Sequence, residues 1–411
     1  MRLTSPFREV TCPFCFQRFH LAEAPCRSAN GPIEPDTGIG DFLGEPPPEM
    51  RRVEPVPPRR FVERWLHRMW IADDRTSDRK KVCPRCHMNL PHKLASGELT
   101  SEILAIVGAR NAGKSNFFGV LINALERRYA RDVGFSMFAQ DTFSVHKMQP
   151  VSSLELYQTR YGSRLFASQP TALNSTPSAS NNHDIRIPLI YRVQFPREPW
   201  QRLTRPFARL KALDLVIFDA AGEDLQDAVM RQQFARYVAP ASGIIFLVDP
   251  FALPGLPELL QPSVRNRLPK SGDAREVIQG AINLFEQRNR LRADQKVSVP
   301  VAVALTKTDM LEGIVDPHSP ILRDSRHVGG FDASDCQDCS EEVQRYLCAW
   351  GCSDLARLVG SRFEHHEFFA ISALGQMPGD DSRLQTVSPR RIADPLLWLL
   401  WKRGYLSAIP A

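Results

Sequence analysis

Lys114 and Ser115 close the run Gly108-Ala109-Arg110-Asn111-Ala112-Gly113-Lys114-Ser115, which follows an apolar stretch and opens onto a helical pattern. The spacing G-x-x-x-x-G-K-[ST] in that setting describes a loop that cradles phosphate. Gly108 and Gly113 let the backbone turn tightly and aim successive N–H groups at phosphate oxygens, and the positive end of the following helix adds to the attraction. Lys114 would bridge the β- and γ-phosphates and Ser115 would ligate Mg²⁺. Asn111, Ala112 and Asn116 belong to the same phosphate-side set.

Three further groups lie downstream, each at the end of an apolar run. The run 215–218 delivers Asp219, where the second carboxylate of a Mg²⁺ site belongs, and Gly222 three residues on can offer an N–H to a terminal phosphate. The run 299–305 ends in Thr306-Lys307-Thr308-Asp309. A carboxylate at Asp309 can accept from both N1–H and the exocyclic amine of guanine, whereas adenine would leave the charge unpaired. Thr306 belongs to the same turn, and the aliphatic stem of Lys307 can cover the purine face. The run 368–371 ends in Ser372-Ala373-Leu374, a small-residue loop that can bring an N–H to the guanine carbonyl.

A different chemistry marks the N-terminal end. Cys12-Pro13-Phe14-Cys15 and Cys83-Pro84-Arg85-Cys86 are two C-x-x-C turns, enough for the four thiolates of a tetrahedral Zn²⁺ site with no open position for catalysis. His20, His87 and His92 stand nearby, but four cysteines already complete the set. Between the pairs runs a Pro/Gly-rich insertion, from about 27 to 60, whose stretch 31–60 should be extended or disordered rather than core. Residues 61–71 have the spacing of a short amphipathic helix. Cys336, Cys339, Cys348 and Cys352 could form a second metal site, but the last two lie four apart in a helical pattern, where small buried thiols are common.

These groups need a frame. From about residue 99 apolar strands alternate with amphipathic helices, the pattern of a parallel sheet covered on both faces. Strands are expected at 103–107, 131–139, 185–195, 215–218, 243–248, 299–305 and 368–371. Helices are expected at 114–129, 151–161, 275–292, 340–358 with Ser340 as N-cap and a break at Gly351, and 395–401. The polar stretch 168–183 reads as a mobile loop. The chain of 411 residues has 43% hydrophobic and 24% charged residues, the balance of a globular protein, and its net charge of +6 permits but does not demand a nucleic-acid or acidic partner. No run approaches the ~18 apolar residues of a membrane span, and the N-terminus lacks the apolar core of a secretion signal, so the expected compartment is the cytoplasm. Nine cysteines with two C-x-x-C pairs suit metal binding better than a disulfide framework.

Taken in order, the phosphate loop, Asp219-Ala220-Ala221-Gly222, Thr306-Lys307-Thr308-Asp309 and Ser372-Ala373-Leu374 resemble the Ras-like P-loop GTPases over about 300 residues. The cysteine-paired N-terminus, the phrase Phe368-Phe369-Ala370-Ile371-Ser372-Ala373-Leu374-Gly375 and the ending Asp394-Pro395-Leu396-Leu397-Trp398-Leu399-Leu400 resemble the bacterial double-GTPase domain family of the second type, associated with conflict and defence systems. The resemblance implies an α/β P-loop NTPase three-layer sandwich with a mostly parallel sheet over 98–411, preceded by a zinc ribbon over 1–97. It implies GTP and GDP with Mg²⁺ as ligands and protein partners from the same system. Lys114, Thr171, Gly222 and Glu223 would be the catalytic set of a switch that hydrolyses GTP. Glu223 departs from the usual Gln, so turnover is expected to be slow. The switch threonine is Thr171 or Thr176, with Thr171 preferred because Gln169-Pro170-Thr171 looks more like the family phrase. Two rival readings remain: a GTP-binding scaffold that does not hydrolyse, and a nucleic-acid-binding regulator using Arg51, Arg52, Arg59 and Arg60. The ribbon lacks dense Lys/Arg interleaved with aromatics, which disfavours nucleic acid.

Overall fold

The computed structural model describes residues 9–55, 79–97, 99, 101–144, 149–173, 187–196, 212–219, 237–260, 265, 272–289, 292 and 295–409. Residues 61–71, Thr176, Gly222 and Glu223 lie outside that set.

The N-terminal part is built from short strands. β1 (Glu9–Thr11) pairs with β2 (Arg18–His20), the two flanking the first C-x-x-C turn. β3 (Cys26–Ser28) follows, and β4 (Ile33–Pro35) leads into helix α1 (Thr37–Leu43) and pairs with β5 (Glu49–Arg51) beyond it. β6 (Val53–Glu54) and β7 (Arg79–Lys81) lie on either side of β3, and β7 carries the chain into the second C-x-x-C turn. The Pro/Gly-rich insertion is therefore not simply extended or disordered up to residue 55. Asp36 accepts from the Ile39 amide as the N-cap of α1, Gly44 closes the helix in the left-handed conformation, and Ile39 and Leu43 are buried. A cap, a terminator and two apolar residues four apart outweigh the composition of the segment.

The larger part is a seven-stranded, mostly parallel sheet with helices on both faces. β8 (Ser101–Gly108) is its central strand, followed by α2 (Lys114–Ala124). β9 (Ser136–Ala139) forms one edge; residues 131–133, expected to begin this strand, belong to a helical turn (Ala130–Val133) that ends at Gly134 with φ of 86°. A hairpin of β10 (Asp141–Ser144) and β11 (Gln149–Ser152) and a short helix (Ser153–Tyr157) follow. Then come β12 (Leu189–Gln194), β13 (Ala212–Asp219), β14 (Gly243–Val248), helix α3 (Ala274–Asn289) and β15 (Val301–Leu305). α4 (Ala333–Ala349), α5 (Ser353–Arg362), β16 (His366–Ala370) and α6 (Asp394–Lys402) complete the chain. The strand order is β16-β15-β14-β8-β13-β12-β9, with β12 antiparallel to both its neighbours.

Alternation along the strands explains the layers. Leu104, Ile106, Leu215, Ile217, Ile245 and Leu247 face one core, with Phe117 and Leu121 of α2 and Leu397 and Trp398 of α6. Ile103, Ala105, Val107, Ile244, Phe246, Val301 and Val303 face the other, with Ile278, Ile282 and Phe285 of α3. The apolar ending is thus a core helix: Trp398 is fully buried and meets Phe369 at 5.9 Å edge to face. Among the described residues no helix is long and apolar enough to cross a membrane. Helix α4 begins at Ala333 and is capped by Asp332 rather than Ser340. Ser340 accepts instead from the Phe368 amide of edge strand β16, a backbone group that the sheet itself leaves unpaired.

Candidate functional site

Five parallel strands end at one side of the sheet, and the sequence-predicted residues lie there. Gly108 ends β8, Asp219 ends β13, and Asp249, Thr306 and Ile371 follow β14, β15 and β16 directly. Ligands of open parallel sheets bind at this carboxyl edge, next to the strand where the order reverses. With strands about 4.8 Å apart, Asp309 and Ser372 stand roughly 10 to 15 Å along the edge from the phosphate loop. That spacing suits a ligand with a charged end and a flat end.

At the phosphate side, Gly113 adopts φ of 85° with open space where a Cβ would stand, and Asn111 is also left-handed at 61°. At Gly108 a Cβ would lie 2.9 Å from the Leu247 carbonyl oxygen, so only glycine lets the loop leave β8 this close to β14. Lys114 and Ser115 open α2 and are buried beside Ala112. The Lys114 ammonium donates to the carbonyls of Gly108 and Ala109, both at 2.9 Å, and so lies across its own loop. Asn116 makes a two-way amide contact with Leu173, accepting from its N–H at 3.0 Å and donating to its carbonyl at 3.2 Å. This ties the segment before residue 174 to α2. Thr171 sits in that segment: its N–H donates to Arg164, it bridges to Arg383, and Ala172 and Leu384 extend the pairing with Ser382 and Pro170. Residues 170–173, expected in a mobile loop, are thus bonded at each step. Of Asp219 only the backbone is described, in register with Ile106.

At the other side Thr306 donates to Val248, and Lys307, with φ of 56°, reaches Asp249 at 2.6 Å. Asp249 was only a strand end in the sequence; its second oxygen caps the next turn through the Phe251 amide at 3.0 Å. Asp309 accepts from the Ser372 hydroxyl at 2.5 Å, and the same hydroxyl accepts from the Gly375 amide at 2.9 Å. Burial raises the Asp309 carboxyl above the ordinary carboxylate range, against the pull of Ser372 and of the Arg390 charge. Ala373 and Leu374 complete the loop and pack partly buried against the core.

The second site is the N-terminal cysteine cluster. The four sulfurs of Cys12, Cys15, Cys83 and Cys86 lie within 4.8 Å of one another. Cys12 and Cys86 approach to 3.7 Å and Cys15 and Cys83 to 3.6 Å. A metal bound tetrahedrally at about 2.3 Å from each sulfur requires edges of about 3.8 Å, so the donors fit. The two turns repeat each other. Phe14 and Arg85 each donate an amide to the first sulfur of their turn at 3.4 Å, and Phe16 and His87, each following the second cysteine, are left-handed at 59° and 54°. Burial pushes the Cys12 and Cys86 thiols up, while hydrogen bonds from neighbouring sulfurs pull Cys83 and Cys15 down.

His87 does not converge with the four sulfurs; its Nδ1 meets Asp36 at 2.7 Å, and Arg27 reaches the same carboxylate at 2.5 Å. Burial alone would raise Asp36, but the interaction with His87, the Ile39 amide and the Arg27 charge outweigh it and hold the carboxyl low. The insertion is thereby pinned to the second turn. Spacing could not reveal this, since Asp36 and His87 are joined only by the fold. On the other flank the Phe16 ring packs on Tyr237 at 5.4 Å, so the cluster leans on the sheet.

His327, Cys336 and Asp394 also converge and are buried. His327 Nδ1 accepts from the Asp332 amide at 3.1 Å, which leaves the proton on Nε2, facing Asp394 at 3.0 Å. Arg391 fills the other side of that carboxylate at 2.9 Å. A protonated nitrogen and a guanidinium leave no place for a cation, so this is an ionic knot that fixes α6 to α4. Cys339 faces the core and Cys348 is exposed.

No protein-family model matches the chain. It is 28% identical over 347 residues to a Mycolicibacterium smegmatis protein described as a candidate ESX-1 scaffolding and assembly protein, SaeC, covering 79% of this chain and 80% of that one. A chain of the signal recognition particle receptor SRb-GTP/SRX complex from Chaetomium thermophilum aligns with 69% of this chain and 95% of its own length. Its identity of 12% and TM-score of 0.28 carry no argument. The first relative corrects the functional expectation. A match across four-fifths of both chains, to a protein described by scaffolding and assembly, points away from a switch driven by GTP hydrolysis. It lends nothing to a nucleic-acid regulator either.

Proposed function

We propose that this chain is a scaffolding and assembly protein that binds other proteins during construction of a multi-protein secretion apparatus. The observation that carries the reading is the relative of that description, matched over most of both chains. Deletion of the gene should abolish assembly of the apparatus and export of its substrates, and the tagged chain should co-purify with named apparatus subunits. Unchanged export in the deletion strain overturns the reading.

Two ligands belong to the proposal. The carboxyl edge of the sheet fits a P-loop sandwich holding a guanine nucleotide with Mg²⁺. The loop from Gly108 to Ser115 would take the phosphates and Asp309 the base, with Ser115 and Asp219 toward the metal. The four converging sulfurs support a structural Zn²⁺ on Cys12, Cys15, Cys83 and Cys86. Calorimetric titration with GDP and ADP in Mg²⁺, on the wild type and Asp309→Ala, tests the first. Equal affinity for the two bases removes it. Metal analysis of the purified chain tests the second.

A further inference from the structure

The chain between β16 and α6 folds back onto the base side of the carboxyl edge. Ser372 and Arg390 exchange both backbone hydrogen bonds, at 3.0 and 2.9 Å, and the Ser388 amide donates to the Leu374 carbonyl at 3.0 Å. Gly375 makes this approach possible: its φ is 79°, and a Cβ there would stand 2.2 Å from the Ser388 oxygen. Arg390 is therefore held by its backbone against Ser372, whose hydroxyl holds Asp309.

The Arg390 side chain shares this corner. Its Nη2 donates to Glu312 at 2.9 Å, three residues beyond Asp309, and its charge lowers the Asp309 carboxyl. Its Nη1 is buried and meets no acceptor among the described residues. A buried guanidinium N–H left without an acceptor is costly, and a ligand that supplies one gains accordingly.

From this we propose that Arg390 is a specificity residue of the base site, its free Nη1 donating to O6 of guanine while Asp309 accepts from N1–H and the amine. The inference rests on the guanine reading above. Guanine places an acceptor at C6, whereas adenine places an amino group there, so donor would face donor; N7 is an acceptor in both bases and does not discriminate.

The test compares GDP, IDP and ADP by calorimetry with Mg²⁺ on the wild type, Arg390→Ala, Arg390→Lys and Asp309→Ala. Inosine keeps O6 and N7 but lacks the 2-amino group. Arg390→Ala should weaken GDP and IDP by the same factor, about tenfold, and leave ADP unchanged. Asp309→Ala should weaken GDP more than IDP. If the alanine variant loses its cooperative melt, Arg390→Lys carries the test, with a smaller but equal loss for GDP and IDP. A loss shared equally by all three ligands marks a merely structural role and overturns the assignment, as does unchanged GDP affinity. A wild type that prefers GDP while Arg390→Ala stays unaffected removes Arg390 alone. A wild type that binds GDP and ADP alike removes the guanine reading and Arg390 with it.

Discussion

Two parts of this chain carry the same C-x-x-C spacing and put it to opposite uses. Cys12 and Cys15, like Cys83 and Cys86, sit in turns where the chain reverses; Cys336 and Cys339 sit inside α4. In the turns the Phe14 and Arg85 amides face sulfur and the next residue goes left-handed, so thiolates find donors and two pairs can face each other. In the helix the spacing again brings two thiols to one side, but helical amides are already bonded to the carbonyl four residues back. Cys336 lies against Asp394, and burial lifts both thiols, that of Cys339 to about 11. Spacing supplies proximity, and backbone conformation decides whether charge on sulfur can be held.

The largest expected effect breaks the first region. If the four sulfurs hold zinc as proposed, Cys83→Ser should abolish it in metal analysis and cost several kcal/mol of unfolding free energy, because three ligands and an open face no longer organise the N-terminal part. Retained stoichiometric zinc would overturn the pairing of the two turns. Next comes Arg391→Ala in the second region, expected to cost about 3 to 5 kcal/mol in a urea melt by leaving Asp394 buried without its cation, with zinc content unchanged.

Acid separates the contributions further. Burial would raise Asp394, but Arg391 and His327 hold its folded carboxyl below the ordinary value. Its stabilisation is therefore complete above the unfolded pKa of about 3.9 and is lost as pH falls through the folded one. Stability curves of the wild type and Asp394→Asn should converge on acidification, and curves that stay parallel would count against the ion pair. Cys336→Ala should cost only about 1 to 2 kcal/mol, the expense of a small cavity, with no change in zinc. Smallest of all, Cys348→Ser at an exposed position should stay within about 0.5 kcal/mol of the wild type.

Much of the frame was readable because local chemistry and tertiary need agree there. The apolar runs 243–248 and 299–305 were strands on composition alone, since buried parallel strands are continuously apolar. Gly108 and Gly113 were readable because few backbones tolerate their positions. The misread places share a cause. Residues 131–133 read as the start of a strand, although the preceding helix carries on through them to Gly134. Ser340 looks like a cap in sequence, but the true cap, Asp332, lies eight residues earlier, and Ser340 serves a strand edge that sequence cannot place. The proline-rich composition of the insertion concealed α1, because one well-capped helix needs few residues. At the site, the motif places Asn116 on the phosphate side, and the structure adds a contact that spacing does not encode, its amide holding Leu173.

The sequence by itself determined the phosphate-type loop, the two cysteine turns, the alternation of the main apolar strands with helices along the chain, and the candidate base-reading carboxylate. Each depends on neighbours within a few residues, where spacing is geometry. The tertiary structure alone decided what joins across distance. It tied Asp36 to His87, Asn116 to Leu173, Asp309 to Ser372, and Arg390 to the same corner as Glu312. Those contacts follow from strand order and loop return, which no local pattern encodes. They are also the contacts that set charge, since burial and nearby ions, rather than residue type, move the Asp36 and Asp309 carboxyls in opposite directions.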